Sequence, residues 1–200
     1  MRRLSLTAVA ALLLSCPVAP VEGEGEEGEG EEGEGEEGEG EGEAPAINLL
    51  ANPSLETWTD AASPNTTPDA WTNCTVGGGL ALDAVPDSCT GEPVDAAEGI
   101  RFGRAFDDEG IAQTLATTVG RRYSVSFRAA AMSGCFGGSS DAIWQVLVDD
   151  AVVLTTPSST SAAWSEAAVA FTATASATVV CFRKTTGGQG AIDALSVLEQ

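Results

Sequence analysis

Tyr123-Ser124-Val125-Ser126-Phe127-Arg128-Ala129-Ala130 is the run that decides the fold. Tyr123, Val125, Phe127 and Ala129 alternate with Ser124, Ser126, Arg128 and Ala130. Successive side chains of a strand point to opposite faces, so the run reads as a strand with one buried side. Residues 142–149 repeat the pattern, with Trp144, Val146 and Val148 on one side and Ile143, Gln145 and Leu147 on the other. Asp150 and Ala151 then lead directly into Val152-Val153-Leu154, which predicts a tight hairpin.

Outward from this centre, residues 100–104, 111–119, 167–173, 178–183 and 192–198 are rich in β-branched and aromatic side chains. Gly and Ser clusters separate them, as at 133–140 and 185–190, and almost nothing falls at helical spacing. Many short strands at this interval predict an all-β domain, a β-sandwich jelly roll over residues 46–200. A chain of this size buries roughly 68–70% of its unfolded surface, so a core needs no metal or disulfide to form.

The chain before residue 46 reads differently. Arg2 and Arg3 precede an apolar stretch from Leu4 to Leu14, interrupted only by Ser5 and Thr7. This is the pattern of a signal peptide, and it is too short for a permanent span of about 20 residues. The stretch ends Leu13-Leu14-Ser15-Cys16, which resembles the bacterial lipobox, in which the cysteine is lipidated and becomes the new N-terminus. Residues 1–16 are therefore expected to be a lipoprotein signal peptide, with Cys16 carrying a membrane anchor and the mature chain held in the cell envelope, outside the cytoplasm. Residues 17–45 form a linker in which Glu-Gly-Glu-Gly-Glu repeats four times from Glu22. Glycine loses the most entropy on ordering, no side chain in the repeat is apolar, and the like charges lie within a Debye length of ~8 Å. The run is expected to be extended and disordered, reaching on the order of 90 to 100 Å at ~3.3 Å per residue.

Of the formal net charge of -21, the linker holds thirteen Glu and no basic residue. Residues 46–200 keep seventeen Asp and Glu against seven Lys and Arg. Without a basic patch, phosphate-backbone binding lacks its main source of affinity, and nucleic acid is not an expected partner. Histidine is absent, which removes the usual general base, the Ser-His and Cys-His pairs and the commonest transition-metal ligand. A carboxylate-pair enzyme survives that test, but Asp107-Asp108-Glu109 and Asp149-Asp150 both read as turns, and adjacent strand residues face opposite ways. The domain is not expected to be an enzyme.

Four cysteines fall in the domain: Cys74, Cys89, Cys135 and Cys181. Outside the cytoplasm an even number implies two disulfides, with three possible connectivities. The expected pairs are Cys74 with Cys89, closing a loop around Gly77, and Cys135 with Cys181. Zinc is the competing reading, but no CxxC spacing and no histidine support it.

Asn48-Leu49-Leu50-Ala51-Asn52-Pro53-Ser54-Leu55-Glu56, followed by Pro68-Asp69-Ala70-Trp71, resembles the opening of the jelly-roll carbohydrate-binding modules appended to bacterial cellulases and xylanases, within the galactose-binding-domain-like set. Ile111-Ala112-Gln113-Thr114-Leu115, Val119-Gly120-Arg121-Arg122-Tyr123 and Ala191-Ile192-Asp193-Ala194-Leu195-Ser196-Val197 agree in order and spacing. The resemblance implies a carbohydrate partner. It also implies a structural Ca²⁺ joining the first and last strands through Glu56 and Asp193, although the family often has a second aspartate where this chain has Ala194. The alternative for both carboxylates is a strand-end hydrogen-bonding role. Sugar recognition by such folds uses aromatic faces and polar side chains. Trp71 and Trp144 are expected in the core, Trp58 and Trp164 as exposed stacking faces, and Arg128 and Gln145 as donors on the concave sheet. Two non-catalytic classes remain open: a surface-tethered carbohydrate-binding module, and a structural or adhesive envelope lipoprotein without a small ligand.

Overall fold

A computed structural model describes residues 46–59, 67–75, 78, 81–84, 95–132, 141–185 and 188–200, all within one unit, Glu43–Gln200. Cys16, Cys89 and Cys135, with the expected signal peptide and linker, lie outside the described residues. Among the described residues there are ten strands and no helix. In chain order these are β1 Thr72–Asn73, β2 Ala81–Ala84, β3 Arg101–Ala105, β4 Gly110–Ala116, β5 Arg122–Met132, β6 Trp144–Val148, β7 Ala151–Thr155, β8 Ser165–Thr172, β9 Ala177–Lys184 and β10 Gln189–Glu199. They form two five-stranded sheets with antiparallel pairing throughout. Sheet A runs β1-β4-β9-β6-β7 and sheet B runs β2-β3-β10-β5-β8. This is the β-sandwich jelly roll that the strand pattern predicts.

The alternation in β5 holds where it was read. Tyr123, Val125, Phe127 and Ala129 are buried between the sheets, and Ser124, Ser126 and Arg128 face away from them. Phe127 and Trp71 both meet Phe182 edge to face, at centroid distances of 5.5 and 6.0 Å. Burying such a ring is worth roughly 1.5–3 kcal/mol, and an aromatic pair adds about 0.5–1.5 kcal/mol. Ala130 departs from the expectation: it points to the outer side yet is buried. A second cluster of Phe102, Ala130, Met132 and Ala191 covers that end of the outer face, closed by Ala96, Ala162 and Trp164.

The predicted hairpin is present between β6 and β7. Asp149 and Asp150 both take positive φ, 47° and 67°, the pair of signs that a two-residue turn needs to match strand twist. Asp149 also ties the hairpin to β9, its Oδ1 accepting from the Val179 amide at 2.9 Å. β1 and β2, of two and four residues, are too short to show a period in the sequence.

The expected pairing of Cys74 with Cys89 is corrected: Cys74 is bonded to Cys181. β1 lies beside β4 and β4 beside β9, which brings Cys74 to 6.1 Å from Cys181, Cα to Cα, although 107 residues separate them in the chain. The bridge lies on the outer face of sheet A with Ala112 and Leu147. Gly110 leaves room for it, since a Cβ there would stand 3.1 Å from the Cys74 sulfur. The same bond excludes a Cys135–Cys181 pair.

Candidate functional site

The outer face of sheet B carries a polar cleft of about 370 Å³. Ser126 and Arg128 of β5, Glu166 of β8 and Ala194 of β10 line it, with Ala97 and Glu98 from the segment that leads into β3. Arg128 is exposed and stands in register with Glu166 on one side and Asp193 on the other. Arg128 is the one cationic group among the lining residues, and it offers a planar fork of donors between two carboxylates that only accept.

Residues 95–101 make the wall, and two carboxylates hold it. Asp193 accepts from the Glu98 amide through Oδ2 at 2.9 Å and from the Ala194 amide through Oδ1 at 2.7 Å. Glu56 Oε1 accepts from the Ile100 and Arg101 amides, both at 2.9 Å. Gly99 between them has φ of +68°, and a Cβ there would fall 2.2 Å from the Glu56 carboxylate, so glycine is required by both backbone and space. Asp193 is fully buried, and desolvation pushes its carboxyl up to about 6, against the opposing effect of the amides that donate to it.

Ca²⁺ takes six to eight oxygen ligands. The Glu56 and Asp193 oxygens instead receive amide protons, and no group of three or more His, Cys, Asp or Glu among the described residues is placed to hold a metal. In this structure the two carboxylates act as hydrogen-bonding staples for the wall.

The structure separates the four expected sugar contacts. Trp58 is buried in the core, its indole donating to the Leu55 carbonyl, so its face is not open to a ligand. Its polar neighbours suggested exposure, but Leu55 and Trp58 turn inward together. Trp164 is half-buried on the outer face of sheet B, edge to face with Phe102 at 5.8 Å and donating to the Asp95 carbonyl. Its indole holds the start of the wall through the Asp95 carbonyl. Gln145 faces outward from sheet A, where it accepts from Arg183 at 2.6 Å, so it and Arg128 lie on opposite faces of the sandwich and cannot meet one ligand. Trp71 and Trp144 are in the core as expected. Sequence reasoning missed Glu166 and Glu98. Glu166 had a usable signal, as the single charged residue in β8.

A family model described as "Protein of unknown function (DUF642)" matches residues 88–193. The chain belongs to that family. The DUF642 match takes in β3 through β9, the wall, Arg128 and Glu166, and stops at Asp193. A search of the curated proteins finds no match.

Among solved structures, a CBM22-1 xylan-binding domain from Paenibacillus barcinonensis Xyn10C is similar at 15% identity and a TM-score of 0.53, over 77% of this chain and 95% of that one. The tandem CBM22-1–CBM22-2 domain of the same protein gives 14% identity and 0.54, over 77% of this chain and 46% of that one. TmCBM61, solved in complex with β-1,4-galactotriose, gives 15% and 0.50, over 78% of this chain and all of that one. At such identities the DUF642 domain and these carbohydrate-binding modules share the jelly-roll fold.

Proposed function

We propose that the domain is a non-catalytic binding module for carbohydrate, with the ligand seated in the cleft between Arg128, Glu166 and the wall at Glu98. The observation that carries this reading is the cleft itself. Its floor sets a cationic fork of donors beside carboxylate and hydroxyl groups, a combination suited to sugar hydroxyls, which both donate and accept. The volume of about 370 Å³ is within the range of small-molecule sites. The fold shared with sugar-binding modules supports the reading. In the same proposal Cys16 is lipidated, residues 17–45 are the tether, and the domain is displayed outside the cytoplasm.

The test is retention of the full mature chain on soluble and insoluble glycans, with Arg128→Ala and Glu166→Ala as variants. A hydrogen bond to a charged group is worth about 1.5–3 kcal/mol, so each change is expected to weaken binding by roughly 10- to 100-fold. No retention on any glycan would defeat the sugar reading. Anchoring is tested separately: Cys16→Ala is expected to move the protein from the membrane to the soluble fraction.

A second reading is a structural or adhesive envelope lipoprotein without a small ligand. The observation that favours it is the lack of a free tryptophan face on the cleft, with Trp58 in the core and Trp164 half covered.

A further inference from the structure

We propose that Lys184 and Asp107 are joined in the mature protein by an intramolecular amide bond, formed between the lysine amine and the aspartate carboxyl with loss of one water. The two residues are 77 apart in sequence, and Lys184 Nζ stands 2.6 Å from Asp107 Oδ1. Lys184 lies at the end of β9 on the same side as Val180 and Phe182, which is the core side, and its side chain has no exposure at all. Its stem rests on Gly190, where a Cβ would come within 3.3 Å of it.

A lysine ammonium has three protons to donate. Among the described residues Lys184 Nζ has Asp107 as its one hydrogen-bond partner. An amide nitrogen in the same place has one proton to satisfy instead of three.

The backbone fixes the reacting groups. The Lys184 amide donates to the Glu109 carbonyl at 2.9 Å, and the Lys184 carbonyl accepts from the Asp108 amide at 3.1 Å. The turn from Phe106 to Glu109 is therefore clamped to the end of β9, with Asp108 held at a φ of 59°. Groups held in contact in this way react as though at effective concentrations on the order of 10⁵ M or more.

Glu109 supplies the proton transfers. It lies opposite Lys184 in the β4–β9 ladder, is buried, and accepts from the Phe106 amide at 2.7 Å. Burial pushes its carboxyl above the ordinary range, against the opposing effects of the Phe106 amide and the Lys184 and Arg104 charges. Proton transfer within the Lys184–Asp107 pair gives a neutral amine and a neutral carboxyl. The amine lone pair then attacks Asp107 Cγ. Glu109 gives a proton to the departing oxygen and takes one from the nitrogen, so the C–N bond forms, a C–O bond breaks and water leaves. No oxidant or other reactant is needed. The Asp107 side chain is 60% exposed, which gives that water an exit.

The experiment is a mass spectrum of the purified mature chain, unfolded and reduced, followed by proteolysis and fragment sequencing. The expected result is a mass lower by one water and a branched fragment joining the Lys184 and Asp107 peptides. Glu109→Gln and Lys184→Arg, checked for native circular dichroism, are expected to show the full mass. Folded wild-type protein at full mass overturns the proposal, as does a loss of water that maps elsewhere. Should the variants not fold, the wild-type fragments alone decide. A folded Glu109→Gln protein that still carries the bond overturns the role given to Glu109.

Discussion

The buried carboxylate of Asp193 accepts the amide proton of Glu98, 95 residues before it, and so ties the wall of the cleft to the centre of sheet B. Burial raises the Asp193 carboxyl to about 6 from an ordinary 3.8. The folded state then holds this proton more tightly than the unfolded chain, and linkage assigns the group a stabilising contribution present below about pH 4 and lost as pH rises toward 6. Comparison of melting temperature against pH for wild type and Asp193→Asn isolates it. The wild type is expected to lose stability relative to the variant between pH 4 and 6, and parallel curves would show that the carboxyl titrates normally.

Metal removal bears on the same carboxylates. Because Glu56 and Asp193 are occupied by amide protons, EDTA is expected to leave the melting temperature unchanged. A rise in melting temperature on adding Ca²⁺ after chelation would restore the ion to this fold.

The Cys74–Cys181 bridge closes a loop of 107 residues across the back of β4. In the chain-entropy account a loop of that order is worth about 4.7 kcal/mol, and measured bridges more often give about 2–4 kcal/mol. The Cys74→Ser, Cys181→Ser double variant is expected to unfold at lower urea concentration by an amount in that range. The m-value is expected to rise as the unfolded chain gains exposed surface.

Gln113 does the work of a strand edge with a side chain. Its Oε1 accepts from the Ala51 amide at 3.0 Å and its Nε2 donates to the Ala51 carbonyl at 2.6 Å, which anchors the opening segment to β4. Gln113→Ala leaves both Ala51 groups unpaired and is expected to cost about 1–3 kcal/mol in urea unfolding. Gln113→Glu sets a buried carboxylate oxygen against the Ala51 carbonyl, so a loss at least as large is expected at neutral pH.

Asp150 sits at a φ of 67° in an exposed turn, where glycine has no Cβ to strain. Asp150→Gly is expected to stabilise by about 0.5–1 kcal/mol, or roughly 1–4 °C in melting temperature. Asp149 is a poor target for the same change, since its carboxylate holds the Val179 amide.

Most of the sandwich was legible because its signals are local. The alternation of β5 and the hairpin at Asp149–Asp150 each depend on neighbours in the chain. The opening motif was legible for a related reason: each polar residue has a fixed task, as when Asn48 donates to the Leu195 carbonyl and accepts from the Val197 amide. The site was less legible because it is made by elements far apart in sequence. Nothing local places Arg128 and Gln145 on different sheets, and nothing around Trp58 reveals that Leu55 draws it into the core. The partner of Cys74 follows from the order of β1, β4 and β9, which composition does not encode.

Strand order has one more outcome. β1, β7, β2 and β8 end the sheets; β1 is two residues long, and β2 and β8 contain Asp83 and Glu166. β7, Ala-Val-Val-Leu-Thr, has neither charge nor proline to discourage a second chain from adding to it. What keeps copies apart is then mutual repulsion between acidic molecules, whose reach shrinks to about 3 Å in 1 M salt. High ionic strength is therefore the condition in which pairing through β7 is to be looked for.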